Sequence, residues 1–182
     1  MRRVHRKKPS IHARLLYEIE VEIINGPVMA EFVRANPRVA RTIQIRGDQT
    51  LEVLHEAIFD AFDRFDEHLY QFEIGGKKPM DRKAARYVMP EAMDNPFADV
   101  PDIDAGQTEI GSLGFKPRQV FFYWFDFGDD WWHKLKVLNV HEDAPPGEFP
   151  IVTARVGQSP PQYPGLDDED DESDEEDDDA EK

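Results

Sequence analysis

The sequence predicts an α+β domain, an antiparallel, meander-like β-sheet curled around one main amphipathic helix. Three observations point there. Residues 16–23, LYEIEVEI, alternate Tyr17, Ile19, Val21 and Ile23 with Glu18, Glu20 and Glu22, the period of a half-buried strand. Residues 50–65, TLEVLHEAIFDAFDRF, repeat apolar side chains at three and four, as a helix with one buried stripe does. The other regular stretches are short, β-patterned and separated by tight turns, which pairs neighbours antiparallel.

Asn25-Gly26-Pro27 ends the first strand. A second strand over 38–46 puts Val39, Ile43 and Ile45 on one face, with Arg41 between them, until Gly47-Asp48 breaks it. The helix stripe comprises Leu51, Leu54, Ile58, Ala61, Phe62 and Phe65, and Asp48 or Thr50 can accept the orphan amide hydrogens at its start. A third strand, HLYQFEI, aligns His68, Tyr70, Phe72 and Ile74 before Gly75-Gly76. Residues 75–107 read as a long loop with a short helix around 81–88, and 108–113 as one helical turn. Strands over 119–126 and 131–140 flank the loop Phe127-Gly128-Asp129-Asp130, and a last strand is expected over 150–155.

The 182 residues divide into a basic arm (1–14), one domain (15–158), and a proline-rich exit with a disordered acidic tail (159–182). The formal charge of −16 is uneven: residues 167–182 hold thirteen acids and one lysine, whereas 1–14 hold six basic residues and no acid. The arm, through Arg2, Arg3, Arg6, Lys7 and Lys8, is a candidate phosphate contact, although the body it joins is itself acidic. With no cysteine, disulfides and thiolate metal sites are excluded. No apolar run reaches membrane-spanning length and no apolar segment follows the basic start, so a cytoplasmic protein without membrane contact is expected.

Residues 121–137, FFYWFDFGDDWWHKLKV, concentrate eight aromatic side chains, three aspartates and a histidine. Alternation after the turn sends Trp131, His133, Leu135 and Val137 one way and Trp132, Lys134 and Lys136 the other. His133 therefore faces the apolar side. His68 shares a face with Tyr70 and Phe72, and His55 borders the helix stripe. Two readings follow. Each histidine is a partly buried, hydrogen-bonded core residue, with Asp126 and Asp129 as turn formers. Alternatively His55, His68 and His133 meet Asp126 or Asp129, beside Trp131, in one polar pocket suited to a divalent metal (at His55, His68, His133 and Asp126) or to acid/base chemistry. HExxH is absent, DFG at 126–128 lacks every other kinase motif, and no serine occupies a nucleophile elbow. The aromatic excess either has both sheet faces covered or presents an exposed contact patch.

The blocks PRVARTIQIRGDQTLEVLHEAIFDAF, DEHLYQFEI and FYWFDFGDDWWHKLKV resemble the plasmid pRi ORF-three-like family, whose members are also described as insertion-element passenger proteins of TnpR type. The resemblance spans about residues 13–160. It matches at Gly47, Asp48, Leu54, His55, His68, Phe72, Asp126, Phe127, Gly128, Asp129, Trp131 and His133. It implies a meander-like sheet folded around a central helix, and no assigned activity. Ala40 stands where many relatives carry tryptophan, and Ser159 and Gln162 where many carry a cysteine and an acid. No serine-recombinase motif accompanies the TnpR label.

Together these readings favour a non-enzymatic protein-interaction module that uses the aromatic hairpin and the 75–107 loop. The rivals are a metal-assisted hydrolase or acid/base enzyme at the His/Asp pocket, and a nucleic-acid-contacting accessory protein of a mobile element.

Overall fold

The computed structural model describes residues 10–93 and 101–165. Eight strands form a single open sheet: β1 (Leu16–Asn25), β2 (Ala40–Arg46), β3 (Tyr70–Ile74), β4 (Ala85–Val88), β5 (Ile103–Asp104), β6 (Val120–Phe125), β7 (Trp131–His141) and β8 (Ile151–Val156). Their spatial order is β5-β4-β3-β6-β7-β1-β2-β8. Two helices accompany them, α1 (Ala30–Ala35) and α2 (Leu51–Ala61).

The alternation of acids and apolar residues in β1 is realised in full. Tyr17, Ile19 and Val21 are buried, and the opposite face carries Glu20 and Glu22, which pair with Arg38, and with Lys134 in the case of Glu22. The register sets Ile19 between Ile43 of β2 and Val137 of β7, and Val21 between Arg41 and Leu135. On this face lies the stripe of α2: Leu51, Leu54, Ala57, Ile58 and Ala61 are buried in the same core as Phe72, Phe121 and Trp131. Each large apolar side chain removed from water there contributes about 1.5–3 kcal/mol. The helix begins at Thr50, whose hydroxyl accepts the Val53 amide hydrogen, so threonine and not Asp48 is the cap.

Three expectations are corrected. Residues 85–88 form a strand, not part of a helix, because Arg86 and Val88 pair opposite Glu73 and Gln71 of β3. Tertiary pairing overrides a weak local propensity there. The sheet is neither a meander nor wholly antiparallel: β3 pairs with β6 and β7 with β1, and the two-residue β5 runs parallel to β4. Phe65 does not extend the α2 stripe. Asp63 adopts a left-handed φ of +55°, the helix stops, and Phe65 turns out to 74% exposure. No helix among the described residues is long and apolar enough to cross a membrane.

The aromatic hairpin is interior. Phe121, Phe122, Tyr123, Phe125, Trp131 and Trp132 are buried, while Trp124 and Phe127 are half-buried. On the face away from α2, Trp124 stacks on Trp132 at 4.9 Å between centroids and leans on Phe127 at 4.2 Å. Both faces of the hairpin are thus largely covered.

Candidate functional site

Local turn chemistry positions Asp126. It sits at the end of β6 in a left-handed conformation (φ +54°), and its Oδ1 accepts the amide hydrogens of Gly128 and Asp129 at 3.1 and 3.3 Å. Its other oxygen, Oδ2, faces His68 Nε2 at 3.4 Å. Asp66 Oδ2 lies at the same distance, and the Tyr163 hydroxyl at 2.7 Å. Tyr163 in turn donates to Asp66, which pushes the phenol up to about 12. Tyr163 and Asp66 are therefore engaged with each other, while Asp126 Oδ2 faces Nε2 beside them.

His55 lies elsewhere on the core face. It stacks on Tyr70 at 3.8 Å, and its Nδ1 is 2.7 Å from the buried Tyr123 hydroxyl. Burial lowers its pKa to about 4. Its ring is neutral at physiological pH.

His133 packs edge-on against Phe62 and tilts against Tyr123, both at 5.2 Å. Neither ring nitrogen makes a hydrogen bond of normal geometry. Burial first, and then the Arg64 guanidinium, lower its pKa to about 3, with backbone groups of Tyr123 and Trp131 opposing. Arg64 lies 3.7 Å above the Trp131 ring and donates to the Pro160 carbonyl. Burial brings its own pKa down to about 10.

Of the six pocket candidates, the fold brings together His68 and Asp126, with Asp129 beside them in the turn. It joins His55 to Tyr123, and it encloses Trp131 and His133 in the core. The three imidazoles do not form one ligand set: among the described residues, no group of three or more His, Asp or Glu side chains is arranged to hold a metal ion. The nucleic-acid candidates Arg2, Arg3, Arg6, Lys7 and Lys8 lie outside the described residues.

A second group of polar side chains lies at the C-terminal end of α2, where residues 158–163 cross it. A cleft of about 620 Å³ is lined by Arg41, Asp63, Phe65, Arg155, Ser159 and Tyr163, among others. Buried Gln162 fastens this crossing: its Oε1 accepts the amide hydrogens of Phe65 and Asp66, and its Nε2 donates to the Asp66 carbonyl. Arg41 is buried and donates to the carbonyls of Ala40, Ala61, Val156 and Gly157 and to the Ser159 hydroxyl, which donates to Asp63. Arg41 had one sequence signal, a charge on an apolar strand face. Arg155 and Gln162 had none, because their partners are about a hundred residues away.

A family described as plasmid pRiA4b ORF-3-like protein matches residues 28–166. A protein of unknown function from Methanosarcina mazei Go1, known from a crystal structure, shares the fold, with a TM-score of 0.60 at 24% identity over 78% of this chain and 70% of its own. No curated protein matches the chain.

Proposed function

Because the chain belongs to the plasmid pRiA4b ORF-3-like family, whose matched span takes in every strand but β1, we propose that its role is to bind a partner protein by accepting an extended segment along β8. The observation that carries this is the open edge. Among the described residues β8 lies last in the sheet and pairs with β2 alone, so no described strand pairs with its outer row of backbone groups over Ile151–Val156. Ile151 and Val156 are 44% and 43% exposed at its two ends. Natural edges are usually blunted by charge, proline or brevity. This six-residue edge carries Arg155, Pro150 just before it and one irregularity against β2, which leaves a length open to strand addition, a recurrent mode of peptide recognition. The contact surface is then β8 in place of the aromatic hairpin, whose rings stabilise the core.

The test pans a random decapeptide display library against the full chain. Enriched peptides are expected to slow amide exchange in β8, and the double substitution Ile151→Lys, Val156→Lys to abolish their binding with the fold intact. Enriched peptides that leave β8 exchange unchanged, or no enrichment at all, would refute the reading.

A second reading, acid/base chemistry at His68, is favoured by Nε2 facing both Asp126 and Asp66. It predicts turnover of some ester or phosphoester in a substrate panel, lost in His68→Gln while the fold survives.

A further inference from the structure

We infer that the cleft beside β8 recognises a carboxylate side chain on the bound segment, an inference that rests on the strand-addition reading. The argument begins with a like-charge pair. Arg41 and Arg155 stand directly opposite each other in the β2–β8 ladder. Like charges at such positions destabilise a sheet. Both guanidiniums also converge on one acceptor, the Ala61 carbonyl at the end of α2, Arg41 through Nε at 2.8 Å and Arg155 through Nη1 at 2.5 Å. Proximity to Arg155 adds to burial in lowering the Arg41 pKa, and Asp63 is the counter-charge acting on it. Two cations therefore face one carboxylate, and that carboxylate already accepts the Ser159 hydroxyl.

Arg41 alone is a structural residue, since its donors are spent on backbone carbonyls and Ser159. Arg155 differs. It is exposed, with one bond to Ala61, and it lines the cleft. An incoming carboxylate there relieves the repulsion and accepts charge-assisted hydrogen bonds from a guanidinium fork. Exposed Phe65 and the flanking Pro160 and Pro161 supply apolar walls for the carbons that carry the acid. A strand laid along β8 passes Arg155 one residue before Val156, so one acidic position in the segment reaches this cleft. The strand edge beside the cleft favours a peptide carboxylate over a nucleic-acid phosphate, since only a peptide backbone pairs with β8.

The decisive experiment uses peptides from the library selection. Panning on the full chain is expected to enrich Asp or Glu at one fixed position, and panning on Arg155→Gln to lose that preference while still returning β8-binding peptides. Replacing that acid by its amide should weaken binding by about 10-fold or more to the unmodified chain and leave Arg155→Gln unaffected. Peptides that protect β8 without an acidic preference overturn this inference and leave strand addition standing. Peptides that ignore β8 overturn both. Titration of the Arg155 Nε–H resonance identifies the occupant. A shift on adding peptide supports a partner's acid. A shift on raising salt without peptide points to the chain's own acidic segment, and a shift on concentrating the protein to a second copy; either overturns the proposal.

Discussion

His55 Nδ1 and the Tyr123 hydroxyl lie 2.7 Å apart and tie helix α2 to the middle of the sheet. Burial raises the Tyr123 pKa well above 10, so the phenol keeps its proton. Tyr123→Phe leaves a buried ring nitrogen without its hydrogen-bond partner. The expected cost is about 1–3 kcal/mol in urea unfolding.

Stability should fall with acidification through two histidines. Their folded pKa values, about 4 for His55 and about 3 for His133, lie below the ordinary 6.5. The unfolded chain therefore takes up protons that the native state refuses. Their contribution is complete above pH 6.5 and is lost as pH falls from there, toward about 4 for His55 and about 3 for His133. Each adds a slope of up to about 1.4 kcal/mol per pH unit in that window. Glu73, raised by burial, acts in the opposite direction and loses its contribution as pH rises through its own titration. Urea midpoints between pH 7.5 and 4.5 measure the sum.

His133→Leu separates packing from other roles. The ring is fully enclosed beside Arg64 and its nitrogens make no hydrogen bond of normal geometry, so an apolar side chain of similar size removes an unfavourable burial. Stability at pH 7 is expected to rise by about 1 kcal/mol, and the acid slope to shrink by one proton. A loss of stability at pH 7 would show that the imidazole makes a favourable polar contact.

Gly26 is required by a close approach. A Cβ there would fall 2.3 Å from Trp131 Cε3, and Arg64 stacked 3.7 Å over that indole restricts its retreat. Gly26→Ala should cost about 1–3 kcal/mol in thermal unfolding.

Gln162→Ala tests the crossing over the cleft. It frees the amides of Phe65 and Asp66 and the Asp66 carbonyl at once. Hydrogen exchange at Phe65 and Asp66 should accelerate while that of buried β1 stays unchanged.

Period and turn chemistry encode the local part of this fold. The six principal strands, the α2 stripe as far as Phe62, a start of that helix at Asp48 or Thr50, the inward face of β7 with His133, and the Asp126 turn were legible because each depends on neighbours a few residues away. The tertiary structure alone decided which distant side chains meet. The sheet order seats the three imidazoles against shared rings, Tyr123 for His55 and His133 and Phe125 for His55 and His68, without making one ligand set of them among the described residues, although alternation had placed all three on one apolar side. The same order brings Arg155 opposite Arg41, and the return of residues 158–163 over α2 carries Tyr163 to His68 and Gln162 to Phe65. β4 was missed because its pattern is weak and its strand character comes from pairing with β3. Periodicity reports the face a residue occupies. Strand order and chain return set its position along that face, and these follow from long-range packing that no local window contains.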